Sequence, residues 1–376
     1  MRVLIAHSRY LSGDASGENR VVADEARLLS EAGHDVAVWT PEPEVGGGDV
    51  LRTAASAIWS TRATRVVASA IERHRPDVLH VHNLFPMLSP AVVRSAHRRG
   101  VPVVATLHNY RLMCLPANFL RDGRVCEACM GRVPWRGVAY RCFRGSVSGS
   151  AVLASSLTLH RASGSFDRVR RFLAVSGFVK RKHVEAGIAP ERIVVKPNFA
   201  WPVAPREGPG EYFLVLGRVA PEKGVDTLLR AWERRRPRHD LVVMGYGVEA
   251  LGDPPAGVEL RPPVPGADVA DVVRRARAVL VPSRWYEAAP RTIVEAFAAG
   301  VPVVASDLGA LPELVGPETG ALAPPDDVGA WSQAVGRLDD DVESARLGEG
   351  ALRAWRERYS PERGVEALVA AYREAS

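Results

Sequence analysis

Two carboxylates, Glu287 and Glu295, stand with seven residues between them in P-S-R-W-Y-E-A-A-P-R-T-I-V-E-A-F. Carboxylate pairs can do acid–base or nucleophilic work on sugars, or bind hydroxyls. Two cations, Arg218 and Lys223, lie five positions apart in G-R-V-A-P-E-K-G. A guanidinium fork and an ammonium point charge at that spacing can both reach one diphosphate. His80, His82 and His108, with Asn83, Asn109 and Tyr110, close apolar runs, where polar side chains meet ligands. Cys114, Cys126, Cys129 and Cys142 are the only cysteines, with 11, 2 and 12 residues between them. Each type also has a plainer reading: acids, Arg and Lys in loops are usually solvated, and a lone His is usually structural.

The elements that must position these groups read as an α/β chain. Val279–Pro282 is a buried strand, Ser283–Ala289 a polar loop, and Pro290 fits the first position of a helix. That helix stops at Gly300, and Val301–Ser306 is the next strand. The backbone amides of about residues 289–292, Thr292 included, face the loop and favour an anion, phosphate above all. Earlier in the chain, Arg2–His7 is a strand, Ser8–Gly17 a loop with Gly13 and Gly17, then a helix and a second strand, Asp35–Thr40. Helices are expected at about 54–72 and from Ser89, and strands at 77–82, 101–108, 172–176 and 193–196. The segment 109–150 breaks the α/β rhythm and holds all four cysteines. Pro197–Gly210 has four prolines and reads as a linker. After it come strands 212–217 and 241–245, with Gly245 leaving room for a base, and Arg261–Val264 with the helix after Asp268 completing a nucleobase slot. Helices at 327–338, 342–358 and 361–374 complete the chain. The expected domains are 1–200, with the insert 109–150, and 201–358, followed by a C-terminal helix in 359–376.

The acidic pair and its G-V-P-V-V-A-S continuation resemble the E-x7-E segment of retaining glycosyltransferases of the GT-B type, family 4. G-R-x-x-x-E-K-G after a strand is similar to that family's diphosphate clamp, and S-G-E-N-R-V-V-A-D-E-A-R-L-L resembles its N-terminal helix. Where the family often has a Gly-Gly pair, Ser16-Gly17 stands here. The resemblance implies two Rossmann-like doubly wound domains facing a central cleft. It implies a donor bound by Gly17, Arg218, Lys223, Gly245, Val264, Glu287, Ala288, Ala289, Pro290, Thr292 and Glu295. It gives His108 a place beside the transferred sugar, Glu287 a contact to the donor sugar and Glu295 the ribose hydroxyls. The implied reaction moves a sugar from a nucleotide-diphosphate donor (UDP-sugar first, GDP-sugar second) to a hydroxyl of a glycan, lipid-linked or small natural-product acceptor, with retention. Arg218, Lys223 and a helix N-terminus supply the charge, no Asp-x-Asp stands in a suitable loop, and no cofactor is required for catalysis.

Three other readings compete. A retaining glycosidase needs carboxylates about 5 Å apart, whereas eight helical steps separate Glu287 and Glu295 by about 12 Å; the cation clamp has no role in hydrolysis. A non-catalytic nucleotide or sugar-binding protein would not need the cations and acids to converge. An epimerase or phosphorylase on the same architecture stays open. For the cysteines, a tetrahedral structural zinc stands ahead of reduced thiols, and disulfides come last in a cytoplasmic chain.

Composition bounds the rest. The chain has 376 residues, 47% hydrophobic, enough for two domains. It has no apolar run of 18 residues and no signal-peptide pattern at Met1–His7, so a cytoplasmic location is expected. The net charge of +6 is scattered, which argues against a nucleic-acid partner. Basic helices such as the one with Arg62, Arg65 and Arg73 leave peripheral contact with the inner membrane face open, and oligomeric state is not read from the sequence.

Overall fold

The computed structural model describes residues 1–9, 16–41, 50–85 and 87–376. Gly13 of the first loop lies outside them. Two compact units divide the chain: one holds Met1–Phe119, Glu127–Lys196 and Gly364–Ser376, the other Leu120–Cys126 and Pro197–Arg363.

The first unit is built on strands β1 (Arg2–Ala6), β2 (Asp35–Trp39), β3 (Val78–Val81) and β4 (Val103–Leu107). A small hairpin, β5 (Leu120–Arg121) with β6 (Arg124–Val125), groups with the second unit. β7 (Arg171–Ala174) and β8 (Ile193–Val195) complete the first sheet, in the order β2-β1-β3-β4-β7-β8, all parallel. The helices between are α1 (Gly17–Glu31), α2 (Val50–Ile58), α3 (Thr61–His74), α4 (Ala91–Arg98), α5 (Trp135–Ala139), α6 (Val147–Ala162) and α7 (Gly177–Glu185). The helix expected at 54–72 is two helices, because Ser60 accepts from the Ala63 amide and caps α3. Ser89 does not open a helix: it sits at φ 52° and α4 starts after Pro90. Ser146 caps α6, which begins at Val147 within the segment 109–150. In the hairpin, Asp122 and Gly123 both have positive φ, the Asp-Gly pattern of a two-residue turn.

The second unit carries β9 (Tyr212–Leu216), β10 (Leu241–Met244), β11 (Val258–Arg261), β12 (Ala276–Val281), β13 (Val303–Ser306) and β14 (Gly320–Ala323). They form a parallel sheet in the order β11-β10-β9-β12-β13-β14. Numbered within the unit this is 3-2-1-4-5-6, so the winding reverses between β9 and β12, and ligands of such sheets sit outside the carboxyl ends at that point. α8 (Val225–Arg234), α9 (Val269–Arg274), α10 (Arg291–Ala298), α11 (Leu311–Leu314), α12 (Val328–Leu338) and α13 (Asp341–Ala354) accompany the sheet. Both faces are buried. Tyr212, Leu214, Val279 and Val281 pack one way, and Phe213, Val215, Ala278 and Leu280 the other. Strands covered on both sides read as unbroken apolar runs, which is why they were visible in the sequence. Each fully buried Leu or Phe here contributes about 1.5–3 kcal/mol.

α14 (Pro361–Ala375) falls mainly in the first unit, where Leu368, Ala371 and Tyr372 are buried. Val264 lies beyond the end of β11, half-buried against the core.

Candidate functional site

In the second unit the loops after β9 and β12 meet at the switch point. After β9 the chain turns at Gly217 and Arg218, then makes one 3-10 turn, Pro221–Lys223, into Gly224. Gly224 has φ 67°, and a Cβ there would lie 2.0 Å from the carbonyl oxygen of Pro282, so only glycine lets the two loops close. Gly245, at the end of β10, is equally constrained: a Cβ would lie 1.7 Å from the Gly217 oxygen. These contacts hold Lys223 beside the loop that follows β12.

Glu287 is the centre of that loop. It is buried, and one oxygen, Oε1, accepts from Lys223 Nζ at 2.6 Å, Ser283 Oγ at 2.7 Å and Trp285 Nε1 at 2.9 Å. Burial raises its pKa, but the Lys223 charge and the three hydrogen bonds outweigh that, and the carboxyl titrates below its ordinary range. The Lys223 ammonium also lies 5.2 Å from the Trp285 ring centroid. Lys223 stays 28% exposed, with further N–H donors to offer. Arg218 is largely exposed and its Nη2 donates to Glu222 at 2.5 Å.

Pro290 is the residue before α10, not its first, with ψ 125°. A proline has no side-chain oxygen, so no side chain caps α10. The Ile293 amide bonds the Pro290 carbonyl at 3.2 Å, which leaves the Arg291–Thr292 end as the part of the helix able to meet an anion. Ala288, Ala289, Pro290 and Thr292 are half-buried around this end, and the Ala289 carbonyl accepts from Asn198 Nδ2 at 3.0 Å. Glu295, one turn further, pairs with Arg291 at 3.0 Å.

In the first unit, Gly17 is the first residue of α1 rather than part of a loop, with Ser16 as its cap. His82 and His108 end up together, Nδ1 to Nε2 at 2.8 Å, just past the carboxyl ends of β3 and β4. His80 is not at the strand edge. It lies inside β3, fully buried, between Thr106 Oγ1 at 2.7 Å and the Tyr372 hydroxyl at 2.8 Å. Burial, and the positive charge of Lys196, push it down to about 3. Burial also leads in holding His82 and His108 well below the ordinary value, so all three rings are neutral.

None of the four cysteines Cys114, Cys126, Cys129 and Cys142 is joined in a disulfide. Burial pushes the Cys114 thiol up to about 11, and its sulfur is met by the amides of Phe119, Asn118 and Ala117. Among the described residues the one group of three with metal-ligand spacing is Glu25, His80 and His82. Lys196 Nζ donates to Glu25 and both side chains are fully buried, so one cation already occupies that carboxylate.

Sequence reasoning passed over three other charged groups. Glu25 falls in the apolar stripe Val21, Val22, Leu28 and Leu29 of α1, an anomaly that was itself a signal. Arg277 is fully buried in β12 and donates to the Leu338 carbonyl at 2.7 Å and to Asp341 at 2.5 Å. Arg284 ties the loop after β12 to Asp226 at 2.6 Å and to Asp326.

Comparison with known proteins agrees with these features. Residues 15–200 match the family described as Glycosyltransferase Family 4, and residues 210–341 the one described as Glycosyl transferases group 1. A D-inositol 3-phosphate glycosyltransferase of Acidothermus cellulolyticus is 27% identical, over 96% of this chain and 86% of that one. A stretch of 164 residues is 33% identical to an exopolysaccharide phosphotransferase of Streptomyces coelicolor, of which the match spans 16%. The Anabaena protein HepE, solved in complex with UDP-glucose, superposes with a TM-score of 0.66 at 16% identity, covering 98% of this chain and 99% of that one. No helix among the described residues is long and apolar enough to cross a membrane. The two sheets are those of the GT-B fold, and the chain belongs to the group 1, family 4 glycosyltransferases.

Proposed function

We propose that the protein transfers a sugar from a nucleoside-diphosphate donor to a hydroxyl acceptor, with retention at the anomeric carbon and with no metal required. The observation that carries this reading is the 2.6 Å pair between Lys223 and Glu287 at the β9–β12 switch point, beside the uncapped start of α10. A departing diphosphate gains negative charge in the transition state. Donors fixed beforehand at that point stabilise it more than the bound substrate, and this lowers the barrier. Lys223, Arg218 and the α10 amides supply such donors, in the place where a divalent ion would otherwise act. Glu287, ionised and rigidly held, accepts from a donor-sugar hydroxyl and holds the ammonium in line; Glu295 accepts from the ribose hydroxyls. By the family resemblance, His108 acts beside the transferred sugar. HepE was solved with UDP-glucose, and this supports UDP-sugars as the first donors to try, with GDP-sugars second. The inositol phosphate glycosyltransferase relative favours small polar hydroxyl acceptors as a starting panel.

The test is incubation of the purified protein with radiolabelled UDP- and GDP-sugars, with an acceptor panel and, separately, with inorganic phosphate. Acceptor-dependent release of UDP or GDP with an α-linked product from an α-linked donor is expected, and unchanged by a chelator. Turnover that requires phosphate and yields a sugar phosphate would instead make it a phosphorylase. Tight nucleotide-sugar binding with no product from any acceptor would leave a binding protein.

A further inference from the structure

A buried polar chain in the first unit runs from Lys196 to His108. Lys196 Nζ donates to Glu25 Oε1, with both side chains fully buried. Among the described residues Glu25 Oε2 has no hydrogen-bond partner and lies 3.6 Å from His82 Nε2, itself buried without one. The other nitrogen of His82, Nδ1, lies 2.8 Å from His108 Nε2. The rings of His82 and His108 are stacked 5.1 Å apart at 21°. Around them stand His80, whose nitrogens are engaged by Thr106 and Tyr372, and His7, which bonds Asn19 Oδ1 at 2.8 Å.

A metal ion would suit this cluster poorly. The Lys196 ammonium already balances the one carboxylate, and a divalent ion placed among Glu25, His80 and His82 would leave excess positive charge buried without a counter-ion. The arrangement instead resolves a question of proton placement. A neutral imidazole carries one N–H and one lone pair, and its neighbours decide which nitrogen has which. If His82 held its proton on Nδ1, the lone pair on Nε2 would face the Glu25 carboxylate at 3.6 Å in a low-dielectric interior. With the proton on Nε2 that contact is attractive. His82 Nδ1 is then an acceptor, so His108 must donate to it from Nε2.

We propose that Glu25 and His82, with Lys196 fixing the carboxylate, are positioning residues that lock His108 as its Nε2–H tautomer and present the Nδ1 lone pair to a substrate hydroxyl. Among the described residues His108 Nδ1 has no protein partner, and the ring is half-buried rather than sealed. The device rests on the placement of His108 beside the transferred sugar, and it specifies what His108 does there: it accepts a hydrogen bond and does not donate one. A donor hydroxyl held by an acceptor is oriented with its oxygen lone pairs elsewhere, which distinguishes hydroxyl-bearing sugars from deoxy sugars at that position.

The test reads the tautomer and the turnover separately. In histidine-15N-labelled protein near neutral pH, two-bond nitrogen–proton couplings are expected to show His108 protonated at Nε2; protonation at Nδ1 overturns the proposal. His82→Phe keeps a ring but removes both nitrogens. It is expected to lower transfer turnover by about 10–100-fold, with nucleotide affinity unchanged because the nucleotide is assigned to the second unit. His82→Asn, whose side-chain oxygen can stand in for the Nδ1 acceptor, is expected to restore much of the turnover. Wild-type turnover in folded His82→Phe overturns the proposal. If that variant does not fold, Glu25→Gln serves in its place: the His108 tautomer is expected to become mixed, and an unchanged single tautomer counts against the device. His108→Ala separates the two readings. Full activity there removes the role assigned to His108, whereas the tautomer measurement still stands or falls on the buried chain alone.

Discussion

Lys223 and Glu287 lie 64 residues apart in the chain and 2.6 Å apart in space, joining the loop after β9 to the loop after β12. The ammonium is therefore both a ligand for a diphosphate and the counter-ion that permits a buried carboxylate. Replacing it removes both roles. Lys223→Ala is expected to reduce transfer turnover by about 10²–10³-fold, measured as acceptor-dependent nucleotide release. Near-wild-type turnover would remove Lys223 from the donor clamp.

The same pair sets a pH dependence. Glu287 is held below its usual value of 4.5, so its contribution to stability is fully present above that value and is lost as pH falls through the lowered folded value. In Lys223→Met the ammonium's charge and hydrogen bond are gone, so burial, which raises the carboxyl's pKa, is opposed only by the Ser283 and Trp285 hydrogen bonds. The variant is thus expected to be less stable than wild type near neutral pH, with the gap closing on acidification. Urea midpoints taken between about pH 3 and pH 7 decide this; a constant gap would contradict it.

Glu295→Ala is expected to weaken UDP binding by roughly 10–100-fold, the cost of losing hydrogen bonds to a charged group. Isothermal calorimetry of UDP checks it. An unchanged affinity would mean that Glu295 serves only its partner Arg291.

At Gly224, an alanine Cβ would overlap the Pro282 carbonyl oxygen at 2.0 Å while holding φ at 67°. Gly224→Ala is expected to cost at least ~2 kcal/mol of stability and to weaken nucleotide binding, since the Lys223 loop must withdraw from the β12 loop. Chemical denaturation together with UDP titration tests both effects.

Lys196→Met would leave the Glu25 charge buried and unpaired, at a cost of about 3–5 kcal/mol. Adding Glu25→Leu is expected to recover most of that loss. A double variant as unstable as the single one would show that the lysine acts by packing rather than by charge.

The sequence carried what depended on local pattern. Unbroken apolar strands, glycine stops and the neighbourhoods of Lys223 and Glu287 could be read from short segments, because both residues sit where a strand ends and a loop begins. Pro290 was misplaced by one position, since proline suits either side of a helix start. Buried charges were lost for a different reason. Lys196 and Glu25 are 171 residues apart, and each alone looks like a solvated side chain. Arg277, just before the expected strand Val279–Pro282, drew no notice because its acceptors, Leu338 and Asp341, come more than sixty residues later.

α14 returns to the first unit after the whole second unit has been made, and its Tyr372 closes on His80. On the ribosome the order of completion is therefore inverted: the half that is synthesised first is finished last. Until α14 emerges, His80 and the apolar surface under Leu368 and Ala371 wait uncovered, while the second unit already has its full sheet. The nascent first unit is thus the part of this chain most exposed to chaperones and to aggregation, and its tail is the last piece to seal it.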